Sequence, residues 1–352
     1  MIKYIGSKRL LVERIVALVK LAAPGARTVL DLFSGTARVG HALKRAGYAV
    51  HANDHTAYAH ALAVAYVQAD RAQWLAAATR LVAELNRLPG APGYVTETFC
   101  ERSRYFQPKN GARIDAIRER IAALALEPEL EAILLVSLME AADRVDSTVG
   151  LQMAYLKQWA PRAHNDLELR VPDLADGVGR ATHLDARACA SDGEWDVAYL
   201  DPPYNQHKYL GNYHVWESLV RWDKPEVYGI ACKRVDCRAY HSPFNSRPGI
   251  GPALAEVVRC VRARHLVVSF SDEGYLSQDE LRAILSSRGE VSALSVDFKR
   301  YVGAQIGIYN PSGVKTGRVS HLRNRELLFI VNCQGGPPLD LTALRVAEPI
   351  RA

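Results

Sequence analysis

Thr28-Val29-Leu30-Asp31-Leu32-Phe33-Ser34-Gly35-Thr36 is the stretch that decides how this chain is built. A short apolar run closing on an acid predicts a buried strand over Thr28–Leu32, and the glycine behind it predicts a loop over Phe33–Thr36. A helix is expected from about Ala37 to Ala46, stopped by Gly47, and a second strand over Tyr48–Asn53 with Asp54 at its carboxyl end. Strand, loop, helix, strand is the opening of a doubly wound α/β sheet, in which ligands bind at the carboxyl ends of the strands.

On the N-terminal side, Leu10, Leu11, Ile15, Leu18 and Val19 recur at helical spacing until Pro24-Gly25 ends the pattern. On the C-terminal side the character changes. Residues 56 to about 175 carry alanine- and leucine-rich helical patterns at Ala59–Val67, Ala72–Leu88 and Ile114–Leu126, with few strand candidates. Strand-like segments resume at Ala181–Leu184, Trp195–Leu200, His265–Phe270, Val291–Phe298 and Leu327–Val331. The expected organisation is therefore a discontinuous α/β catalytic domain over 1–60 and 176–335, with helices on both sheet faces. A mainly helical insert over 61–175 and a tail over 336–352 complete it.

A chain of 352 residues, 49% hydrophobic and 23% charged, has the composition of a globular protein with a substantial core, not of a disordered one. No stretch approaches eighteen uninterrupted apolar residues, and Met1-Ile2-Lys3-Tyr4 opens no charged-then-apolar leader pattern, so a cytoplasmic protein with no membrane partner is expected. Cys100, Cys189, Cys232, Cys237, Cys260 and Cys333 are scattered, without paired CxxC spacing, and read as reduced thiols. Spacing alone leaves a metal site open at Cys232, Cys237 and His241, but no metal is expected. The net charge of +6 is unevenly placed: Lys299 to Arg325 holds six Lys or Arg and no acid. Such a stretch suits a phosphate backbone, or a solvated hairpin with a chance bias.

Gly35 lets a ligand approach the backbone closely, and the helix after Thr36 would point its N-terminus at that ligand. The loop has one glycine where dinucleotide enzymes have GxGxxG, and the strand before it ends in Asp31. That carboxylate would serve a pyrophosphate poorly and favours a cofactor with a cationic amino group, such as S-adenosylmethionine. Asp54 is placed to accept hydrogen bonds from ribose hydroxyls. Taken singly, either acid could instead be a solvated strand end or a helix cap.

Asp201-Pro202-Pro203-Tyr204 follows the apolar run Val197-Ala198-Tyr199-Leu200 and is expected at a strand's carboxyl end, on the same edge as the glycine loop. These residue types suit transfer to a conjugated amino nitrogen. Asp201 can accept one amino hydrogen, and the carbonyl of Pro202, held by two fixed φ angles, the other. Tyr204 offers a ring on which an extruded base can stack, and Asp201, Pro202, Pro203 and Tyr204 are the catalytic candidates.

With these motifs in hand, the chain resembles the adenine-N6 DNA methyltransferases of the Dam-like group and of type II restriction-modification systems, over most of its length to about Cys333. Tyr4-Ile5-Gly6-Ser7-Lys8 is similar to the family's N-terminal motif, which implies that Tyr4 contacts the cofactor and Lys8 lies by the cofactor or target base. Asp31 with Phe33, Ser34, Gly35 and Thr36 resembles the first S-adenosylmethionine motif, Asp54 the ribose acid, and Asp185-Ala186 the segment touching the cofactor's adenine. Asp201 to Tyr204 resembles the catalytic motif. Arg144 to Gly150, Tyr155-Leu156-Lys157, Asn212-Tyr213-His214 and Lys299-Arg300-Tyr301 look like further segments of restriction-system enzymes. Ala37 departs from the pattern, since many relatives have glycine there.

The resemblance implies a Rossmann-like methyltransferase sheet with target recognition in the helical insert. It also implies S-adenosylmethionine as methyl donor with S-adenosylhomocysteine as product, and flipped adenine in double-stranded DNA as substrate. A cognate restriction endonuclease is a possible functional partner, and a monomer is the default. In the insert, Arg102, Arg104, Lys109, Arg113, Arg118 and Arg120, interleaved with Tyr105, Phe106, Gln107 and Asn110, are types suited to phosphates and base edges, or to an amphipathic helix with a charged outer face. Arg104, Lys109 and Arg113 are the candidates there, with Lys8, Lys299, Arg300, Tyr301, Lys315 and Arg323 as further DNA contacts. Tyr240 to Asn245 could cover the flipped base. The same motif chemistry also fits an N4-cytosine or RNA amino-methyltransferase; a non-catalytic DNA-binding protein and an NAD oxidoreductase are the other classes.

Overall fold

The computed structural model describes residues 1–299, 308–309, 315–317, 323–335, 337 and 339–341. The chain divides into two compact units. The first holds Met1–Val12, Arg27–Cys189 and His207–His241; the second holds Glu13–Ala26, Ala190–Gln206 and the chain from Ser242 onward.

In the first unit, β1 (Thr28–Asp31), β2 (Ala49–Asn53) and β3 (Gly179–Thr182) are parallel neighbours in the order β3-β2-β1. The second unit contributes β4 (Trp195–Leu200), β7 (Ala263–Ser271), β8 (Glu290–Lys299) and β11 (Arg323–Asn332). There β4 and β7 are parallel, and β11 runs antiparallel between β7 and β8. Within the second unit the strand order is β4-β7-β11-β8. Two short pairs lie apart from these strands: β5 (Val227–Tyr228) with β6 (Lys233–Arg234), and β9 (Ile308–Tyr309) with β10 (Lys315–Gly317).

The helices of the first unit are α2 (Arg38–Arg45), α3 (Ala57–Ala63), α4 (Arg71–Asn86), α5 (Pro108–Ala123), α6 (Pro128–Val145), α7 (Ala186–Ala190), α8 (Tyr209–Asn212), α9 (His214–Arg221) and α10 (Asp236–Ala239). Those of the second are α11 (Arg247–Cys260) and α12 (Gln278–Ser286), with α1 (Val12–Ala22) lying there but for its first residue. Local chemistry sets many boundaries. Pro108 and Pro128 open α5 and α6, where a missing N–H costs nothing. Asp70 caps α4, and Ser277 with Glu280 forms a reciprocal capping box on α12. No helix among the described residues is long and apolar enough to cross a membrane.

The strands are buried as their apolar runs require: Val197, Ala198, Tyr199 and Leu200 on β4, Leu266 to Val268 on β7, and Leu328 to Val331 on β11 are all nearly inaccessible. Two expectations shift. The strand anticipated at Ala181–Leu184 lies at Gly179–Thr182, in register with Val50 to Asn53. Its end is taken over by the Asn53 side chain, which accepts from Leu184 N at 3.1 Å and donates to Leu184 O at 3.1 Å. The helix anticipated over Ala59–Val67 ends at Ala63, and a π turn continues over Val64–Gln68. A second π turn, Thr96–Glu101, begins where the buried Asp115 carboxylate accepts from Gly93 N, Val95 N, Thr96 N and Thr96 Oγ1, all at 2.8 Å.

Candidate active site and cofactor loop

In the first unit the chain leaves β1 through Asp31, which is 1% exposed, and re-enters helix at Arg38. Asp31 Oδ2 accepts from Gly40 N at 2.9 Å, so a carboxylate sits on the positive end of α2. Gly40 permits this approach, since a Cβ there would lie 3.0 Å from Asp31 Oδ2 and from Val67 Cγ2. Between the two, Ser34 N donates to Asn53 O at 2.9 Å, and Gly35 adopts φ +51°, where L side chains are strained. Ala37 adopts φ +56° and is fully buried, a conformation that glycine would adopt freely and that alanine meets with strain of about 1 kcal/mol.

Asp54, at the end of β2, ties the loop from the other side. Its Oδ2 accepts from Gly35 N at 3.0 Å, and its Oδ1 accepts from Thr56 N at 3.0 Å and Thr56 Oγ1 at 2.9 Å. With its side chain 13% exposed, the carboxylate keeps an edge for a further donor. The buried Ser34 Oγ has no hydrogen-bond partner among the described residues. A buried hydroxyl left this way costs about 1–3 kcal/mol unless a ligand supplies the bond, so loop and acid fit a polar nucleoside with a hydroxyl-bearing sugar.

Tyr4 lies against this loop, with its ring edge 3.4 Å from where a Gly35 Cβ would stand. It stacks on Tyr213 at 4.5 Å and 15° and on Tyr209 at 5.3 Å and 18°, and its hydroxyl is 3.1 Å from that of Tyr58. Burial among these phenols pushes the Tyr4 and Tyr58 hydroxyls well above the usual phenol pKa, so they act as neutral donors and acceptors. Tyr213 Oη accepts from Ile5 N at 2.6 Å, and Glu217 accepts from Ala57 N and Tyr58 N, pinning the start of α3. Tyr58, Tyr209 and Glu217 carried no sequence signal, because their partnership with Tyr4 joins positions remote in the chain.

The other expected cofactor residues are less enclosed or differently engaged. Lys8 is 6% exposed, with its ammonium 3.5 Å from Gly6 O. Phe33 is half-buried and Thr36 buried. Asp185 is exposed and accepts from Arg187 N and Nε at 3.0 Å, while Ala186 is buried.

In the second unit, Asp201-Pro202-Pro203-Tyr204 follows β4 directly and has neither helix nor strand geometry. Pro202 is buried; Asp201, Pro203 and Tyr204 are partly exposed. The segment is held from later in the chain. Tyr275 N donates to Tyr204 O at 2.9 Å, the Tyr204 ring lies tilted against Phe270 at 5.8 Å, Asn245 Nδ2 donates to Asn205 O at 2.8 Å, and Tyr275 Oη donates to Gln206 Oε1 at 3.1 Å.

Most of the basic stretch in the helical region is occupied with protein partners. Tyr105, Phe106, Asn110 and Arg118 are buried: Asn110 bonds Asn165 O and Leu167 N, and Arg118 donates to Leu219 O and Val220 O. Their role is packing. Arg104 donates to Lys157 O and lies over the Trp159 ring, Lys109 pairs with Asp166 at 2.6 Å, Arg113 donates to Asn86 O, and Arg120 pairs with Glu84. Tyr240 stacks on His55 at 5.2 Å, within the first unit. Arg300 and Tyr301 lie outside the described residues, as do the side chains of Lys299, Lys315 and Arg323.

A largely parallel sheet, a one-glycine loop bracketed by strand-end acids and an Asp-Pro-Pro-Tyr segment after a buried strand define a Rossmann-like α/β protein with a nucleoside-type site. The chain belongs to the D12 class of N6 adenine-specific DNA methyltransferases, whose family model matches residues 4–284. It is 31% identical over 310 residues to the Type II methyltransferase M.FokI of Planomicrobium okeanokoites, covering 82% of this chain and 47% of that protein. It is 28% identical over 320 residues to the modification methylase StsI of Streptococcus sanguinis, covering 85% and 48%. Against the Type II methyltransferase M.NlaIII of Neisseria lactamica it is 29% identical over 314 residues, covering 85% and 92%. The chain thus spans about half the length of the first two and most of the third.

Proposed function

We propose that this protein transfers a methyl group from S-adenosylmethionine to N6 of a specific adenine in double-stranded DNA, as the modification enzyme of a restriction-modification system. The observation that carries the reading is the position of Asp201-Pro202-Pro203-Tyr204 at the end of β4 in a chain of an adenine-specific family. The cofactor would supply an electrophilic methyl group on a sulfonium and leave as the thioether S-adenosylhomocysteine. Asp54 accepts from its ribose hydroxyls, Ser34 Oγ meets a polar group of the nucleoside, Asp31 and Lys8 set the charge around it, and Tyr4 packs on it beside Phe33, Gly35 and Thr36. Asp185-Ala186 borders its adenine.

On the substrate side, Asp201 and the Pro202 carbonyl accept the two N6 hydrogens, which turns the amino group from conjugated towards pyramidal and frees its lone pair for attack. The nitrogen gains the methyl carbon and gives up a proton. Tyr204, backed by Pro203 and Phe270, stacks on the extruded base. Residues 61–175 serve target recognition in this reading, and Arg104, Lys109, Arg113, Lys299, Arg300, Tyr301, Lys315 and Arg323 contact the duplex. The protein works as a cytoplasmic monomer alongside a cognate endonuclease.

The test is incorporation of labelled methyl groups into DNA and into RNA, followed by identification of the modified base. N6-methyladenine in duplex DNA is expected. Label found only in RNA, or as N4-methylcytosine, overturns the reading in favour of another amino-group substrate.

A further inference from the structure

Within the first unit, two phenol hydroxyls meet beside the glycine loop. Tyr4 Oη lies 3.1 Å from Tyr58 Oη, and the Tyr4 ring runs along the place of a Gly35 Cβ, with Cε1 at 3.4 Å and Oη at 3.6 Å from it. Gly35 N in turn donates to Asp54 Oδ2 at 3.0 Å, so the phenol pair borders the same loop that this acid ties down. Tyr58 is wholly buried and Tyr4 partly so.

Both rings are placed from the start of α9. Tyr213 stacks on Tyr4 at 4.5 Å, and its hydroxyl accepts from Ile5 N at 2.6 Å. One helical turn on, the buried Glu217 accepts from Tyr58 N at 3.1 Å and Ala57 N at 3.3 Å. The Tyr4–Tyr58 hydroxyl contact closes the circuit. Phenylalanine at both positions would stack as well, so packing alone does not call for the hydroxyls. Their single mutual hydrogen bond leaves one hydrogen and several oxygen lone pairs unused, and neither hydroxyl has another partner among the described residues. Burial, and behind it the neighbouring phenols with Asp54 and, at Tyr58, Glu217, push both well above the usual phenol pKa. The pair is therefore a neutral, electron-rich patch among carboxylates, an environment that favours a cation.

S-adenosylmethionine and S-adenosylhomocysteine differ by one methyl group and by the positive charge on sulfur. We propose that the Tyr4–Tyr58 hydroxyl pair reads that charge: its oxygens face the sulfonium end of the bound cofactor and favour the methyl donor over the spent product. Tyr58 is then a specificity-determining residue, held in place by Glu217. A carboxylate at this spot would bind the sulfonium more tightly but would also oppose the loss of its charge during transfer, whereas neutral phenols resist that step less. The proposal rests on the reading of Phe33–Thr36 with Asp54 as the cofactor site.

The test titrates the full chain calorimetrically with each of the two ligands. Tyr58→Phe keeps the ring and removes the hydroxyl; it is expected to raise the Kd for S-adenosylmethionine about tenfold and that for S-adenosylhomocysteine by less than about twofold. Tyr4→Phe, at the less buried position, should act in the same sense and serves in place of Tyr58→Phe if that variant does not fold. Tyr213→Phe removes the acceptor of Ile5 N but leaves the hydroxyl pair, and should weaken both ligands by similar factors. If the Phe variant of the pair weakens both ligands equally, or neither, the charge reading is overturned and the cofactor site still stands. A Tyr213→Phe loss confined to S-adenosylmethionine overturns it as well. Wild-type protein that binds neither ligand removes the site and the charge reading together.

Discussion

The loop over Phe33–Thr36 and the segment over Asp201–Gln206 each follow a buried parallel strand, yet they are held by different means. The loop is fastened from nearby: Asp54 is 19 positions from Gly35 and Asp31 is 9 from Gly40. The Asp201 segment is fastened from 40 positions away by Asn245 and 69 by Tyr275. A βαβ unit therefore carries most of the hydrogen bonds that shape the first, whereas the second depends on Asn245 in the turn before α11, on Phe270 of β7 and on Tyr275 in the turn behind it. Binding and chemistry should accordingly be separable by mutation.

The largest effect is expected at the distant-held segment. Asp201→Ala should lower kcat by about 10²–10³-fold, the usual consequence of losing one preorganised hydrogen-bonding group, while the Kd for S-adenosylmethionine measured by calorimetry stays within about twofold. A large rise in Kd would break the division of labour. Asp54→Ala strikes the locally held loop and should do the reverse, raising the cofactor Kd by about 10–100-fold as the proposed ribose acceptor and the tie to Gly35 are lost together.

Gly40→Ala sharpens the comparison from the stability side. A methyl group 3.0 Å from Asp31 Oδ2 and Val67 Cγ2 must displace one of them, and chemical denaturation should show a loss of about 1–3 kcal/mol with a weakened cofactor site. Asn245→Ala removes a single hydrogen bond to the Asn205 carbonyl, so a loss of about 1 kcal/mol is expected, with kcat falling and cofactor Kd unchanged. The smallest effect should come from Ala37→Gly, which relieves the left-handed strain but adds freedom to the unfolded chain. A gain of a few tenths to about 1 kcal/mol in melting experiments is expected, and a loss would show that the loop tolerates φ +56° without strain.

The same division governed what could be read in advance. The acids Asp31 and Asp54, the glycine between them and the strands on either side follow from patterns spanning about twenty residues. The strand before Asp201 was legible from its apolar run. By contrast, the composition of the arginine-rich stretch from Arg102 suits either a surface for phosphates or an amphipathic helix with a charged outer face, and the fold turns Arg118 and Asn110 inward to satisfy backbone carbonyls and amides of other elements. Composition reports the donors a segment has, but not where their acceptors will be.

By itself the sequence determined the alternation of strands and helices, the glycine loop with its two acids, and the Asp-Pro-Pro-Tyr segment at the end of a strand, because hydrophobic period and turn chemistry act over short distances. Tertiary structure alone decided that Tyr4 stacks on Tyr209 and Tyr213 with its hydroxyl against that of Tyr58, that Asn53 replaces the end of β3, and that a buried Arg234 braces the hairpin carrying the exposed Ile230. Each of these joins residues far apart in the chain, where one side chain's partner is set by packing rather than by its neighbours.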